Sequence, residues 1–319
     1  MSELSQFTRR LLLWAAALST IVGSSYAQQR DPRALATQPV APSTRAPATR
    51  APAAAPPAKQ PVAPFRLTAM QQHVLRQVLV NYEKKTGEIK TFSTDLSRLE
   101  FDGVFGPRDP NKPKTTGKGT LRYTKPDKAR YEIGDVRVYD GGTKKYEPDE
   151  LSAEFVVVNG KEVIAKNFRK KQVHVTELPK ELQGKGIFYG PLPFVFGAKA
   201  TDLERRYFMR LTTPEAAAKK GQIWLEAWPR YQADAANYKR VDLIIRASDM
   251  LPLAIQVHSP NGKNRTVYTF ANQKIDPFKW NPFADDYKVR TPFGWKRFVE
   301  KPPTGAPRRA ASPARTPRR

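Results

Sequence analysis

Between residues 119 and 133 the chain reads GTLRYTKPDKARYEI. Leu121 and Tyr123 alternate with Thr120, Arg122 and Thr124; Ala129, Tyr131 and Ile133 alternate with Arg130 and Glu132. A period of two marks a strand with one buried and one solvated face. Pro126 fixes its φ and has no N–H to give a ladder, so Lys125-Pro126-Asp127-Lys128 is predicted to turn the chain between two antiparallel strands. Residues 92–102 start on the same period, but their apolar positions shift from Phe92 and Leu96 to Leu99 and Phe101. That shift predicts a bulge near Arg98. Further strands are expected at 154–158, 162–165, 171–177, 223–228, 241–246, 253–257 and 265–270. Asn159-Gly160 and Ser259-Pro260-Asn261-Gly262 supply turns.

One segment has the longer period of a helix. Leu75, Val78, Leu79 and Tyr82 follow Thr68-Ala69-Met70-Gln71, which has the form of an N-cap and capping box. A helix is therefore predicted over 69–85, with Gly87 as its stop. Residues 215–220 also read as helical. Between 179 and 220 an apolar patch, Pro191 to Gly197, lies among prolines and glycines.

The ends of the chain look different. Arg9-Arg10 precede an apolar run from Leu11 to Val22, and Ser25-Tyr26-Ala27 places small residues at the −3 and −1 positions of a cleavage site. This is the layout of a signal peptide over 1–27, and the run is shorter than the ~20 residues of a spanning helix. Residues 28–64 are rich in Pro and Ala and predict an extended linker. Residues 65–298 form one expected domain, and 299–319 a basic disordered tail. The chain of 319 residues carries a net charge of +25, divided as +5 before residue 65, +15 over 65–298 and +5 after it.

Composition narrows the chemistry. There is no cysteine, which excludes a disulfide framework, a thiolate metal site, a cysteine nucleophile and a lipid-modified cysteine anchor. The histidines, His73, His174 and His258, are far apart, and no metal spacing, nucleophile elbow or phosphate-cradling loop occurs. No catalysis, cofactor or metal is expected. The basic balance suits an anionic membrane surface or cell-wall polymer; export argues against nucleic acid as the main partner.

The order of several motifs resembles the LolA-like superfamily of periplasmic lipoprotein carriers. These are Gly119 to Pro126, the turn Asn159-Gly160-Lys161, the helix start Pro193-Phe194-Val195-Phe196, and a closing run from Tyr287 to Gly294 with Pro292 ahead of Phe293-Gly294. The runs Gly190 to Ala200, Tyr207 to Leu211 and Trp228 to Asn237 resemble a planctomycete branch of it more closely. Where the carriers have Arg before the turn proline and an aromatic three residues after it, this chain has Lys125 and Ala129.

The resemblance implies a mainly β (α+β) fold. A strongly curved antiparallel sheet forms an unclosed half-barrel, with an N-terminal helix and inserted helices over its concave face. It implies an exported monomer that shelters the acyl chains of a lipid or lipoprotein. Phe92, Leu96, Leu121, Tyr123, Tyr131, Ile133, Val241, Leu243, Ile245, Ile255, Val257, Tyr268 and Phe270 then line the cavity, or fill it as a core. Ile187, Phe188, Leu192, Phe194, Val195 and Phe196 form a lid. Lys125 and Lys128 meet a headgroup, or are solvated turn residues. Trp224 and Trp228 lie on the strand face opposite Ile223, Leu225 and Ala227. Alternative readings are an envelope sensor or binding module with the same fold, and a charge-driven binder of anionic membrane or cell-wall polymer.

Overall fold

The computed structural model describes residues 62–180, 183, 199–277 and 286–301. The expected signal peptide, most of the linker, the tail beyond 301 and the lid residues Ile187, Phe188, Leu192, Phe194, Val195 and Phe196 lie outside these.

Helix α1 (Ala69–Gly87) opens with the expected capping box: Gln71 N–H donates to Thr68 Oγ1 at 3.2 Å, and Thr68 N–H donates to Gln71 Oε1 at 2.9 Å. Leu75, Leu79, Tyr82 and Thr86 recur on one face and are buried. Then come β1 (Thr91–Asp102), β2 (Thr115–Thr124), β3 (Lys128–Asp140), β4 (Lys145–Pro148), a 3-10 turn (Glu150–Ser152), β5 (Glu154–Asn159), β6 (Glu162–Asn167) and β7 (Gln172–Glu177). The second half holds α2 (Ala200–Arg206), β8 (Tyr207–Leu211), α3 (Glu215–Ala218), β9 (Gln222–Pro229), α4 (Gln232–Ala235), β10 (Arg240–Arg246), β11 (Pro252–His258), β12 (Asn264–Ile275) and β13 (Lys296–Glu300).

The strands form one sheet in the order β13-β7-β6-β5-β3-β2-β1-β12-β11-β10-β9-β8, with β4 on β3. The terminal strands β13 and β8 do not pair with each other, so this is an unclosed half-barrel. Laid flat at ~4.8 Å per strand, the sheet would be about 53 Å wide. One helix is ~10 Å wide. Yet a single hydrophobic cluster joins Met209 of β8, Leu243 of β10, Leu96 of β1 and Val136 of β3 to Leu75 and Leu79 of α1. The sheet meets these demands by curling around α1.

Three expectations need correction. The ladder is not wholly antiparallel: β13 lies parallel to β7, with Lys296 opposite Gln172 at the end where β7 starts. That strand also runs to Glu300, past 298. No bulge occurs at Arg98. Register shifts fall instead between Ser93 and Asp95 against β12, and between Lys118 and Gly119 against β3. The alternation of β1 continues through Arg98, which faces inward, and the apolar switch arises because Leu99 and Phe101 face outward. The Arg265 guanidinium covers the Phe101 ring at 4.0 Å.

Gly119 is required at its bulge: a Cβ there would stand 1.8 Å from Glu132 O.

Candidate functional site

The strand registers bring the expected cavity residues to one face. Leu96 of β1 pairs with Gly119 of β2 and Phe270 of β12. Tyr268 pairs with Ile255, Ile255 with Leu243, and Leu243 with Leu225. A period of two then puts Phe92, Leu121, Tyr131, Ile133, Val241 and Ile245 on the same inward side. All of these except Gly119 and Tyr268 are buried in the main cluster, and Tyr123, Val257 and Tyr268 pack on it half-buried. Leu75, Leu79 and Tyr82 of the expected N-terminal helix lie over this face in the same cluster; sequence reasoning missed Ala200, Leu203 and Tyr207 beside them.

Two contacts tether the C-terminal end of this cover. Glu83 Oε2 accepts the N–H of Ala200 at 2.9 Å, joining α1 to α2. Lys125 Nζ donates to Gly87 O at 2.7 Å. A cation at the helix C-terminus meets the negative end of the helix dipole. Lys125 thus links the β2–β3 turn, whose Lys125–Pro126 bond is cis, to the end of α1. Lys128 sits nearer the outer surface, with Nζ 5.8 Å from the Tyr287 ring. Ala129 is buried on the inward face.

A polar centre interrupts this apolar face. Arg98 is 1 % exposed. Its Nη1 lies 2.5 Å from Glu154 Oε1, and its Nε 3.7 Å from Glu100 Oε1, at ion-pair distances without hydrogen-bond alignment. Tyr131 Oη donates to the other Glu154 oxygen at 2.8 Å. Burial opposes the charge on Arg98, but Glu154 and then Glu100 outweigh it, so the guanidinium stays protonated. Burial first, and then Glu154, push the Tyr131 phenol well above its ordinary range.

Arg98 stands on β1 and Glu154 on β5, with β2 and β3 between them. The path is open because Gly117 has no side chain; a Cβ there would meet Ile133 Cγ2 at 2.6 Å and lie 3.7 Å from Arg98 Nε. The pair therefore spans the curve of the sheet. Keeping the strict period of β1 through Arg98 was the one sequence signal that could have found it.

The outer face carries a second set of contacts. As expected, Trp224 and Trp228 lie opposite Leu225 and Ala227; their Nε1–H groups donate to Gln222 (3.0 Å) and Glu226. Glu226 also pairs with Arg210, whose guanidinium covers Phe65 at 4.8 Å. His258 Nε2 is 2.8 Å from Asp242 Oδ2 on this face, while His73 contacts Gln77 and His174 stacks on Phe298. No group of His, Asp and Glu among the described residues is arranged to hold a metal ion. No helix among them is long and apolar enough to cross a membrane.

No protein-family model and no curated protein matches this chain. Solved structures similar to it include an uncharacterised conserved protein from Thermus thermophilus, at 12 % identity over 71 % of this chain and 99 % of that one, with a TM-score of 0.38. A LolA superfamily protein from Nitrosomonas europaea is 11 % identical over 67 % of this chain and 99 % of its own, with a TM-score of 0.30. The lipoprotein LppX of Mycobacterium tuberculosis is 10 % identical over 66 % and 99 %, with a TM-score of 0.34.

Proposed function

We propose that this chain is an exported, non-enzymatic carrier that shelters the acyl chains of a lipid or lipoprotein against the concave face of its half-barrel. The observation that carries this reading is the continuous apolar face from β8 to β3, covered by α1, which is tethered through Glu83 and Lys125. An acyl chain in water is unfavourable by ~0.8 kcal/mol per CH₂, so a soluble carrier has to enclose it. Uptake on this reading displaces Leu75, Leu79 and Tyr82 from the face. The segment 187–196 serves as the lid, and residues 1–27 direct export.

The test is native mass spectrometry, with lipid extraction, of the protein purified from its own envelope. Co-purifying lipid, or uptake of an acylated peptide, supports the reading. Protein that is reproducibly empty and takes up no acylated peptide ends it.

The packing of α1 into the face favours a second reading: a non-catalytic sensor or binding module whose concave face is core. Specific capture of a protein partner by a chain that stays free of lipid would select it.

A further inference from the structure

Three of the large apolar side chains exposed among the described residues stand in turns of the sheet. Phe293 is fully exposed, at 106 %, in the turn before β13; Phe105 at 78 % and Val104 at 56 % stand in the β1–β2 connection. The topology puts both turns at one end of the sheet. Successive antiparallel pairings from β1 through β2, β3 and β5 to β6 mean that β1 and β6 end on the same rim. There β7 begins, and β13 begins beside it, with Lys296 opposite Gln172. The Phe293 turn is fixed to the β6–β7 turn by Lys296 N–H donating to Lys171 O at 3.0 Å and by the edge-on contact of Trp295 with Phe168, 5.4 Å between centroids. Gly294, at φ +76°, lets the chain reverse behind Phe293.

The same rim is basic. Arg169, Lys170 and Lys171 fill the β6–β7 turn and are exposed, with Lys296 and Arg297 next to them. Glu147 and Glu150 are exposed here, but other carboxylates at this end are turned into their own loops. Asp102 Oδ1 accepts the N–H groups of Val104 and Phe105 at 2.9 and 3.0 Å, and its Oδ2 meets Lys114. Asp140 accepts from Gly142 and Thr143, and Asp109 from Asn111. Asp149 lies 3.8 Å from Arg169.

We propose that this rim is a docking surface for an anionic lipid bilayer, with Phe105 and Phe293 entering the interface and the Arg169–Lys171 turn and Lys296 lying at the headgroups. Charge complementarity selects an anionic partner, and exposed aromatic tips select one with an apolar interior over a hydrated polymer. Basic residues near an anionic bilayer and apolar residues buried at its boundary both strengthen such binding. The proposal stands apart from acyl-chain carriage: a module that carries no lipid can dock in this way.

The experiment is co-sedimentation of the full chain with phosphatidylcholine vesicles, with and without phosphatidylglycerol. Binding to the anionic vesicles is expected. Phe105→Ser with Phe293→Ser should weaken it about tenfold, and Lys170→Glu with Lys171→Glu by a similar factor, with unfolding curves unchanged because these side chains are exposed. Anionic-vesicle binding unaffected by the double Phe substitution overturns the proposal and leaves charge alone, including the basic tail, as the cause. So does binding to polyglutamate or dextran sulfate as tight as to vesicles. Equal binding to neutral and anionic vesicles overturns the basic half of it.

Discussion

The two ends of the sheet bury opposite faces. From β8 to β3 the inward side is buried beneath α1, and the outward side carries charged residues and tryptophans bonded to their neighbours. From β5 to β7 a second cluster forms on the outward side: Phe155, Val157, Ile164, Val173 and Val175 pack with Tyr287, and with half-buried Phe168, Val289 and Trp295. On the inward side of β5 and β6, Val158 and Val163 pack with Leu178. The region of overlap is therefore buried on both faces. This explains why β5 reads Phe-Val-Val-Val without alternation, as strands covered on both sides do. A polar centre, Arg98 with Glu154, marks the passage from one regime to the other.

The comparison is broken most forcefully at that passage. Glu154→Ala leaves a buried guanidinium with Glu100 alone at 3.7 Å, and should cost about 3 kcal/mol by chemical denaturation, the low end of values for a broken buried pair. Arg98→Met should cost less, because the two carboxylates left behind reach solvent. Equal losses for the two substitutions would contradict the account of Arg98 as the buried partner.

The two clusters can next be weighed against each other. Leu79→Ala under the concave face and Val173→Ala in the outer cluster should each cost roughly 2–4 kcal/mol. Both should shift one common unfolding transition, because β3 and β5 share a ladder. Two separate transitions would divide the sheet into independent halves. Gly117→Ala should cost about 1–3 kcal/mol by overpacking Ile133, and should disturb the Arg98 region more than the outer cluster in amide exchange.

The smallest expected effect is at the rim. Burial opposes ionisation of Asp102, but the N–H groups of Phe105 and Val104, and then Lys114, outweigh it and hold the carboxyl below its usual range. The stability this gives is present above the unfolded carboxylate value of ~3.9 and is lost as pH falls through the lower folded value. Asp102→Asn should therefore flatten the acid limb of the stability profile, read by thermal unfolding below about pH 4. An unchanged acid limb would remove Asp102 from it.

Much of the fold was legible in the chain. The capping box of α1, the hairpin at Pro126 and the inward parity of Leu121, Tyr131 and Leu243 all follow from local periodicity and backbone chemistry, which act over a few residues. Short edge strands were not: β4 and β13 carry mostly exposed residues, so no alternation announces them. Arg98 was hidden for a related reason. A charged residue at an inward position looks like a break in the pattern until its distant partner is known.

What the sequence determined by itself is the longer local elements and the side most of their strands turn inward, because both are fixed by steric rules and a two-residue period. Tertiary structure alone decided which side is covered at each end of the sheet. It also decided that Arg98 meets Glu154 across two strands, and that Phe105 and Phe293 share a rim. These depend on curvature, strand order and a parallel last strand, and each joins residues that are tens to hundreds of positions apart.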